Sequence, residues 1–324
     1  MEPKKVAFIA FSDIQIEAWK KFSINDSRLL QNGQVLEKIH FLCKKHKCPA
    51  LFGGDFYDNP KQLSNKVLSR SFEWLDRFRK DKINIYSIHG NHDQSDKNTI
   101  NSTSDNYLYM LSIAFPNVQL LSGIPTLHGE FVITGVNFLS DNVGFKNQVR
   151  KIQRSLDKDY PHLKKVLLIH SDLPGAIDTS GREIGSSNLD FKLTKLFKGF
   201  DLVLCGHIHK PQRIRKNILI MGATHQQRIS DSGTNMGCWL IYEDLTYQFV
   251  DLMMPQFKYI KAGQEKPDDD HFYIEEQKKL TIQTSKALSS FNTKNPTKLV
   301  KAYLKVKKIK SASKRQILIN YLSL

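Results

Sequence analysis

Cysteine is scarce in this chain. Its 324 residues contain four, Cys43, Cys48, Cys205 and Cys238. Their spacing fits neither a zinc framework nor a dense disulfide scaffold, so reduced thiols and a cytoplasmic setting are expected. Long apolar runs are missing too. None approaches the roughly 18 residues that a membrane-spanning helix needs. The first residues, MEPKKVAFIAFSD, hold a short apolar run that breaks at an acid with no small-residue cleavage site, which reads as no signal peptide. There is no internal repeat and no low-complexity tract. Acid is in deficit, with 32 Asp+Glu against 48 Lys+Arg, a net charge of +16. Such an excess points to a polyanionic partner and is silent about fold.

What is present suits a globular protein, with 40% hydrophobic and 25% charged residues. Short apolar runs alternate with amphipathic stretches up to about residue 250. Val6–Phe11, Ala50–Gly53, Ile83–Ile88, Phe131–Val136, Val166–Ile169 and Leu202–Cys205 read as buried strands. Leu63, Val67, Leu68, Phe72, Leu75 and Phe78 share one face of a helix. Strand–helix alternation implies an α/β layered core. From Asn217 onward, NILIMGA, CWLIYED and YQFVDLM read as consecutive strands forming an antiparallel edge or a second sheet.

Pro255 and the KAGQEKPDDD that follows mark a boundary, dividing the chain into residues 1–254 and 255–324. The second part carries 15 Lys+Arg and 6 Asp+Glu, a net +9. Nine basic residues and no acid lie between Lys294 and Arg315. There LVKAYLKVKK alternates like a strand, and SKRQILINYLSL reads as a short amphipathic helix with Ser313 as its cap. A small basic α+β appendage is expected.

Five polar clusters sit at the C-terminal ends of the expected strands, where open α/β sheets place ligands. They are Asp13-Ile14-Gln15, Gly54-Asp55-Phe56-Tyr57-Asp58, Gly90-Asn91-His92-Asp93, His170-Ser171 and Gly206-His207-Ile208-His209. Carboxylate, imidazole and amide oxygen without sulfur are donors for manganese, zinc or iron. A carboxylate between two cations can bridge them, and Asp55 is the natural candidate. Two metals roughly 3.5–4 Å apart can hold a phosphate, activate water and stabilise a leaving oxygen. Glycines before Asp55, Asn91 and His207 permit the tight turns that gather ligands. His-x-His in an extended turn sends both imidazoles to one side, one for each metal.

In this order the clusters resemble the motifs of the calcineurin-like metallophosphoesterases, D-x-H, G-D-x-x-D, G-N-H-D/E, H and G-H-x-H, over about residues 6–250. The resemblance implies a four-layer α-β-β-α sandwich with a dinuclear centre between the sheets. By motif, Asp13, Gln15, Asp55 and His209 would hold one metal, and Asp55, Asn91, His170 and His207 the other. His92 would stand beside the scissile phosphate and protonate the leaving oxygen or stabilise the transition state. Asp93 would orient His92, and Asp58 would support the ligands from behind. One position departs from the pattern: Gln15 stands where most members have His. Its neutral oxygen is a harder, weaker donor, which favours manganese or magnesium over zinc at that site.

A finer resemblance is to the SbcD-type exonuclease subunits of break repair. It rests on GHIHKPQRIRKNILIMGATHQQRISDSGTNMGCWLI, where GHxH is followed by a short strand at Ile218–Ile220, a turn at Met221-Gly222-Ala223, then Arg228 and Gly237. It implies a DNA phosphodiesterase of recombination, repair or replication in a bacterial or phage-infected cell. It extends to an SbcC-type ATPase partner and a homodimer. Lys210, Arg213 and Arg215, with Lys305, Lys307 and Lys308 of the tail, are the expected contacts to the backbone of duplex or single-stranded DNA. Trp19, Phe56 and Tyr57 are candidates to stack on an unpaired base. Two other readings stay open: a small-molecule phosphodiesterase or nucleotide pyrophosphatase, and a DNA-binding scaffold with weak turnover that supports an ATPase.

Overall fold

A computed structural model of the chain describes residues 4–23, 25–59, 61–94, 106–184, 193–261, 263–267, 269 and 271–276. The tail strand and helix expected beyond residue 290, with Lys305, Lys307 and Lys308, lie outside the described residues. Two six-stranded sheets account for most of the described strands. The first contains β1 (Val6–Phe11), β2 (Ala50–Phe52), β3 (Ile85–Ser87), β4 (Val118–Leu120), β11 (Gly237–Tyr242) and β12 (Tyr247–Asp251), in the order β12-β11-β1-β2-β3-β4. The second contains β5 (Thr126–His128), β6 (Phe131–Val136), β7 (Lys164–His170), β8 (Leu202–Gly206), β9 (Gln212–Arg215) and β10 (Ile218–Ile220), in the order β5-β6-β7-β8-β10-β9. A short ribbon pairs β13 (Phe257–Lys261) with β14 (Phe272–Glu276). Both large sheets belong to one compact unit, residues 1–260 with 265–274.

The layers follow from side-chain alternation. Phe8 and Ala10 of β1 point inward and meet Ile133, Val166, Leu168 and Leu204 of the second sheet. Ile9 and Phe11 point outward, into a core shared with helices α1 (Ser27–His46), α2 (Asn65–Lys80) and α3 (Tyr107–Ala114). In β7, Leu167 and Ile169 face the opposite way, toward α4 (Asn142–Asp159) and the short α5 (Leu193–Leu196). Strands buried on both faces read as continuous apolar runs, which is why they were visible in the sequence. Helices cover both outer faces, so the fold is a four-layer α-β-β-α sandwich.

Helix α2 carries most of its expected apolar stripe, with Leu63 falling just before the helix. Ser64 caps it by accepting a hydrogen bond from the Val67 N–H at 3.2 Å, and Val67, Leu75 and Phe78 are buried. The segment after Asn217 meets expectation in part, because β11 and β12 pair antiparallel at the edge of the first sheet. β10 stays in the second sheet, parallel to β8, whereas β11 crosses to the first sheet and pairs antiparallel with β1. The three strands are therefore not one meander. The indole of Trp239 on β11 donates to the Met221 carbonyl just beyond β10 at 3.0 Å, tying the two sheets together at the crossover.

Candidate metal centre

Strands β1, β2 and β3 run parallel in one sheet, and β6, β7 and β8 run parallel in the other. Their carboxyl ends deliver the five polar clusters to one place. The first two loops are stitched together by backbone hydrogen bonds from the Asp13 N–H to the Gly54 carbonyl and from the Gln15 N–H to the Asp55 carbonyl, each 3.0 Å. Asp13, Gln15, Asp55 and His207 all have positive φ, at 51°, 49°, 60° and 83°. Left-handed backbone is costly for residues with a Cβ, and such strain gathers where a site dictates the geometry. Gly90 is required for a related reason, because a Cβ there would lie 2.0 Å from Asp55 Oδ1.

Four donor atoms converge. Oδ1 of Asn91 lies 3.0 Å from His170 Nε2 and 2.7 Å from His207 Nδ1, and Oδ2 of Asp55 lies 3.4 Å from His170 Nε2. Donor atoms of Asp55, His170 and His207 all fall within 4.8 Å of one another. The tautomer of His170 suits a bound cation. Its Nδ1 lies 2.7 Å from the Gly53 carbonyl, which can only accept, so Nδ1 carries the proton. The lone pair on Nε2 then faces two acceptor oxygens, an arrangement that a bound cation or an extra proton reconciles. Without a cation the proton wins: burial disfavours the imidazolium, but the carboxylates of Asp55 and Asp13 push His170 up to about 9.

The other half of the centre is built around Asp13. It is fully buried, and its Oδ2 accepts the His207 N–H at 3.0 Å, whereas Oδ1 has no hydrogen-bond partner. A buried carboxylate oxygen left facing no donor is expensive, and a cation satisfies it. Burial accordingly raises the Asp13 pKa, against the pull of His170. Nε2 of Gln15 donates to Asp55 Oδ2 at 3.3 Å, so this side chain faces the centre. Asp55 stays ionised: burial opposes its charge, but His170 and the His92 N–H, which donates to Oδ1 at 2.7 Å, hold it below the usual carboxylate range. Two buried carboxylates with imidazole nitrogens and the Asn91 amide oxygen suit oxygen- and nitrogen-loving divalent cations.

His92 is half-buried at the edge of the cluster. Its Nδ1 lies 2.5 Å from the Asp58 carbonyl oxygen and 3.7 Å from the Asp58 carboxylate. Nδ1 therefore holds a proton, and Nε2 is the nitrogen left to meet a substrate. Asp93, which the resemblance pairs with His92, is engaged elsewhere. Its carboxylate accepts from the N–H groups of Asp55 at 2.7 Å, Gly90 at 2.8 Å and Phe56 at 2.9 Å. Burial and the nearby charge of Asp55 still raise Asp93 to about 7. Phe56 and Tyr57 are buried and packed edge-to-face on Phe52 and Tyr107, so neither is free to stack on a base. Trp19 covers the Arg28 guanidinium, 4.6 Å from its ring centre.

Two further carboxylates back the histidines of the last cluster. Asp172 Oδ1 lies 3.4 Å from His207 Nε2, and Asp231 Oδ2 lies 3.5 Å from His209 Nδ1. Sequence reading missed both. Asp172 follows His170 by two residues in an SDLPG turn, and Asp231 sits in a turn-rich RISDSG stretch; each looks like an ordinary loop acid. The basic candidates begin at the same place. Lys210 follows His209 and is half-buried, and Arg213 and Arg215 are exposed on β9, the edge strand of the second sheet.

Residues 6–211 match the calcineurin-like phosphoesterase family. No curated protein matches the sequence. Among solved structures, a dimetal phosphatase from Danio rerio is similar at 10% identity and a TM-score of 0.45, over 74% of this chain and 94% of that one. A hypothetical protein from Thermus thermophilus is similar at 13% identity and a TM-score of 0.36, over 67% and 75%. The nuclease MPE of Pseudomonas putida is similar at 14% identity and a TM-score of 0.30, over 72% and 84%. With its family motifs gathered at the carboxyl ends of two facing sheets, the chain belongs to the calcineurin-like phosphoesterase family, whose members are metal-dependent phosphoester hydrolases.

Proposed function

We propose that the chain is a DNA phosphodiesterase using two divalent metals, manganese or magnesium before zinc. Asp13, Gln15, Asp55 and His209 would hold one metal, and Asp55, Asn91, His170 and His207 the other. When bound, such a pair polarises a phosphoryl oxygen and lowers the pKa of water. The remaining work falls to the protein. His92, when doubly protonated and held through its Nδ1–H by the Asp58 carbonyl, presents Nε2–H to the leaving oxygen, gives it that proton and is left neutral with the proton on Nδ1. Asp93 holds the second and third loops in register through three N–H groups. His170 keeps its Nε2 lone pair inward because Gly53 fixes its Nδ1 proton.

The observation that carries the choice of DNA is the basic edge strand. Arg213 and Arg215 project from β9, which starts three residues after His209, on a chain of net charge +16. Exposed cations along the edge of the sheet that carries the Gly206–His209 loop suit a long polyanion whose backbone extends beyond the site. The tail residues Lys305, Lys307 and Lys308 belong to the same proposal. Gln15 favours a second reading, a small-molecule phosphodiesterase, because a neutral ligand at this position also occurs in that class.

Purified full-length chain with manganese, assayed on linear duplex, single-stranded DNA and bis-p-nitrophenyl phosphate, separates the two. Each phosphate contact contributes about −0.9 to the slope of log affinity against log salt on duplex. Changing Arg213 and Arg215 to Gln should flatten that slope by up to about two units, and the triple Lys305, Lys307, Lys308 change to Gln by up to about three. Neither should alter hydrolysis of the small diester. Unchanged DNA affinity and slope in both variants would favour the small-molecule enzyme.

A further inference from the structure

We infer that Asp231 is a positioning residue for His209, setting which ring nitrogen the first metal meets; the inference rests on the two-metal reading above. Three histidines of the centre have one nitrogen facing an acceptor outside it, at hydrogen-bond distance for His170 and at 3.4–3.5 Å for the other two. His170 uses the Gly53 carbonyl, His207 uses Asp172, and His209 uses Asp231. The last pair differs in burial. Asp172 is half-exposed, whereas Asp231 is 1% exposed and the His209 side chain 12%.

A buried carboxylate needs several partners, and Asp231 has them. Its Oδ2 accepts the N–H groups of Gln227 and Arg228, each at 3.0 Å, and the same oxygen faces His209 Nδ1. A carboxylate oxygen facing Nδ1 can only accept from it, which favours the proton there and leaves the Nε2 lone pair as the ligand. It also makes the ring a stronger donor, as outer carboxylates do for metal-bound histidines. At a site where Gln15 supplies only a neutral oxygen, that added basicity carries more weight.

The loop that presents Asp231 is itself braced. The Gln227 side chain donates to the Asp13 carbonyl, and the Gln227 carbonyl accepts from Arg28 Nη2 at 3.1 Å. The Arg28 guanidinium is packed among Trp19, Phe257 and Phe272, with ring centres 4.6, 5.1 and 4.9 Å away. Asp231, Gln227 and Arg28 thus connect His209 and Asp13, the two first-metal ligands farthest apart in sequence.

Asp231→Asn tests this because the amide oxygen can still accept the loop N–H groups while the charge is gone. Manganese binding is followed by calorimetry, with stoichiometry by elemental analysis, on wild type, Asp231→Asn, His209→Ala and the double variant; melting in chelator checks the fold of each. Wild type should bind two manganese ions; if it binds none, the two-metal reading itself fails. Given two, Asp231→Asn should weaken one site by about 10–100-fold and leave the other within about twofold. Adding Asp231→Asn to His209→Ala should cost no further affinity. Asp231→Glu should recover part of the loss. Unchanged affinity in Asp231→Asn, equal weakening of both sites, or a further loss in the His209→Ala background would overturn the inference.

Discussion

The backbone N–H of Asp55 donates to Oδ2 of Asp93 at 2.7 Å, and the same oxygen accepts the Gly90 N–H at 2.8 Å. One buried carboxylate thus holds the loop after β2 against the loop after β3, and Asp55, the proposed shared ligand, against Asn91 and His92. Removing it strands three N–H groups in the interior. Asp93→Ala should destabilise the metal-free fold by about 2–4 kcal/mol, the cost of leaving buried donors unsatisfied. Urea unfolding in chelator measures this, and an unchanged midpoint would count against the clamp.

His92 is predicted to serve turnover and not metal binding. His92→Ala should retain both metals and slow hydrolysis by about 10²–10⁴-fold. Asp58→Ala should slow it less, because the closest contact to Nδ1 is the Asp58 carbonyl, which that change keeps. Loss of metal in His92→Ala, read by elemental analysis, would make His92 a ligand instead.

These roles were unequally legible in the sequence. The ligands were visible because metal chemistry demands particular side chains, and each follows an apolar run that buries both faces, as Val6–Phe11 and Leu202–Gly206 do. Helix α1 was not singled out, since buried Arg28, Gln31 and Asn32 interrupt its apolar stripe. The crossover of β11 left no local trace, because its partner β1 lies more than 200 residues away. The Asp58, Asp172 and Asp231 contacts were hidden for the same reason. They join histidines of one loop to acids of another, and only the folded chain brings them together.

Gln15 faces Asp55, so changing it should alter metal preference. Gln15→His should raise zinc affinity at the first site, since imidazole is the softer and stronger donor. Competition between zinc and manganese, read by elemental analysis, checks this. An unchanged preference would mean that residue 15 is not a ligand.

His225 should make stability acid-sensitive. Burial, with the Arg28 charge nearby, lowers its pKa from 6.5 to about 3, so the folded protein keeps the ring neutral while the unfolded chain protonates it near 6.5. The unfolded state binds more protons between these values, so this contribution is complete above pH 6.5 and is lost as pH falls toward 3. By pH 5 the loss amounts to about 2 kcal/mol. His225→Gln removes the titrating group, so its stability relative to wild type should improve by about that amount between pH 7 and pH 5. Parallel curves for the two proteins would contradict the assignment.

Asp55 carries the central claim, because one carboxylate is asked to neutralise charge at both metals. The direct measurement is manganese content together with the rate of bis-p-nitrophenyl phosphate hydrolysis for wild type and Asp55→Asn. The account predicts two ions and metal-dependent turnover in wild type, and neither in the variant. Two bound ions with full turnover in Asp55→Asn would contradict it.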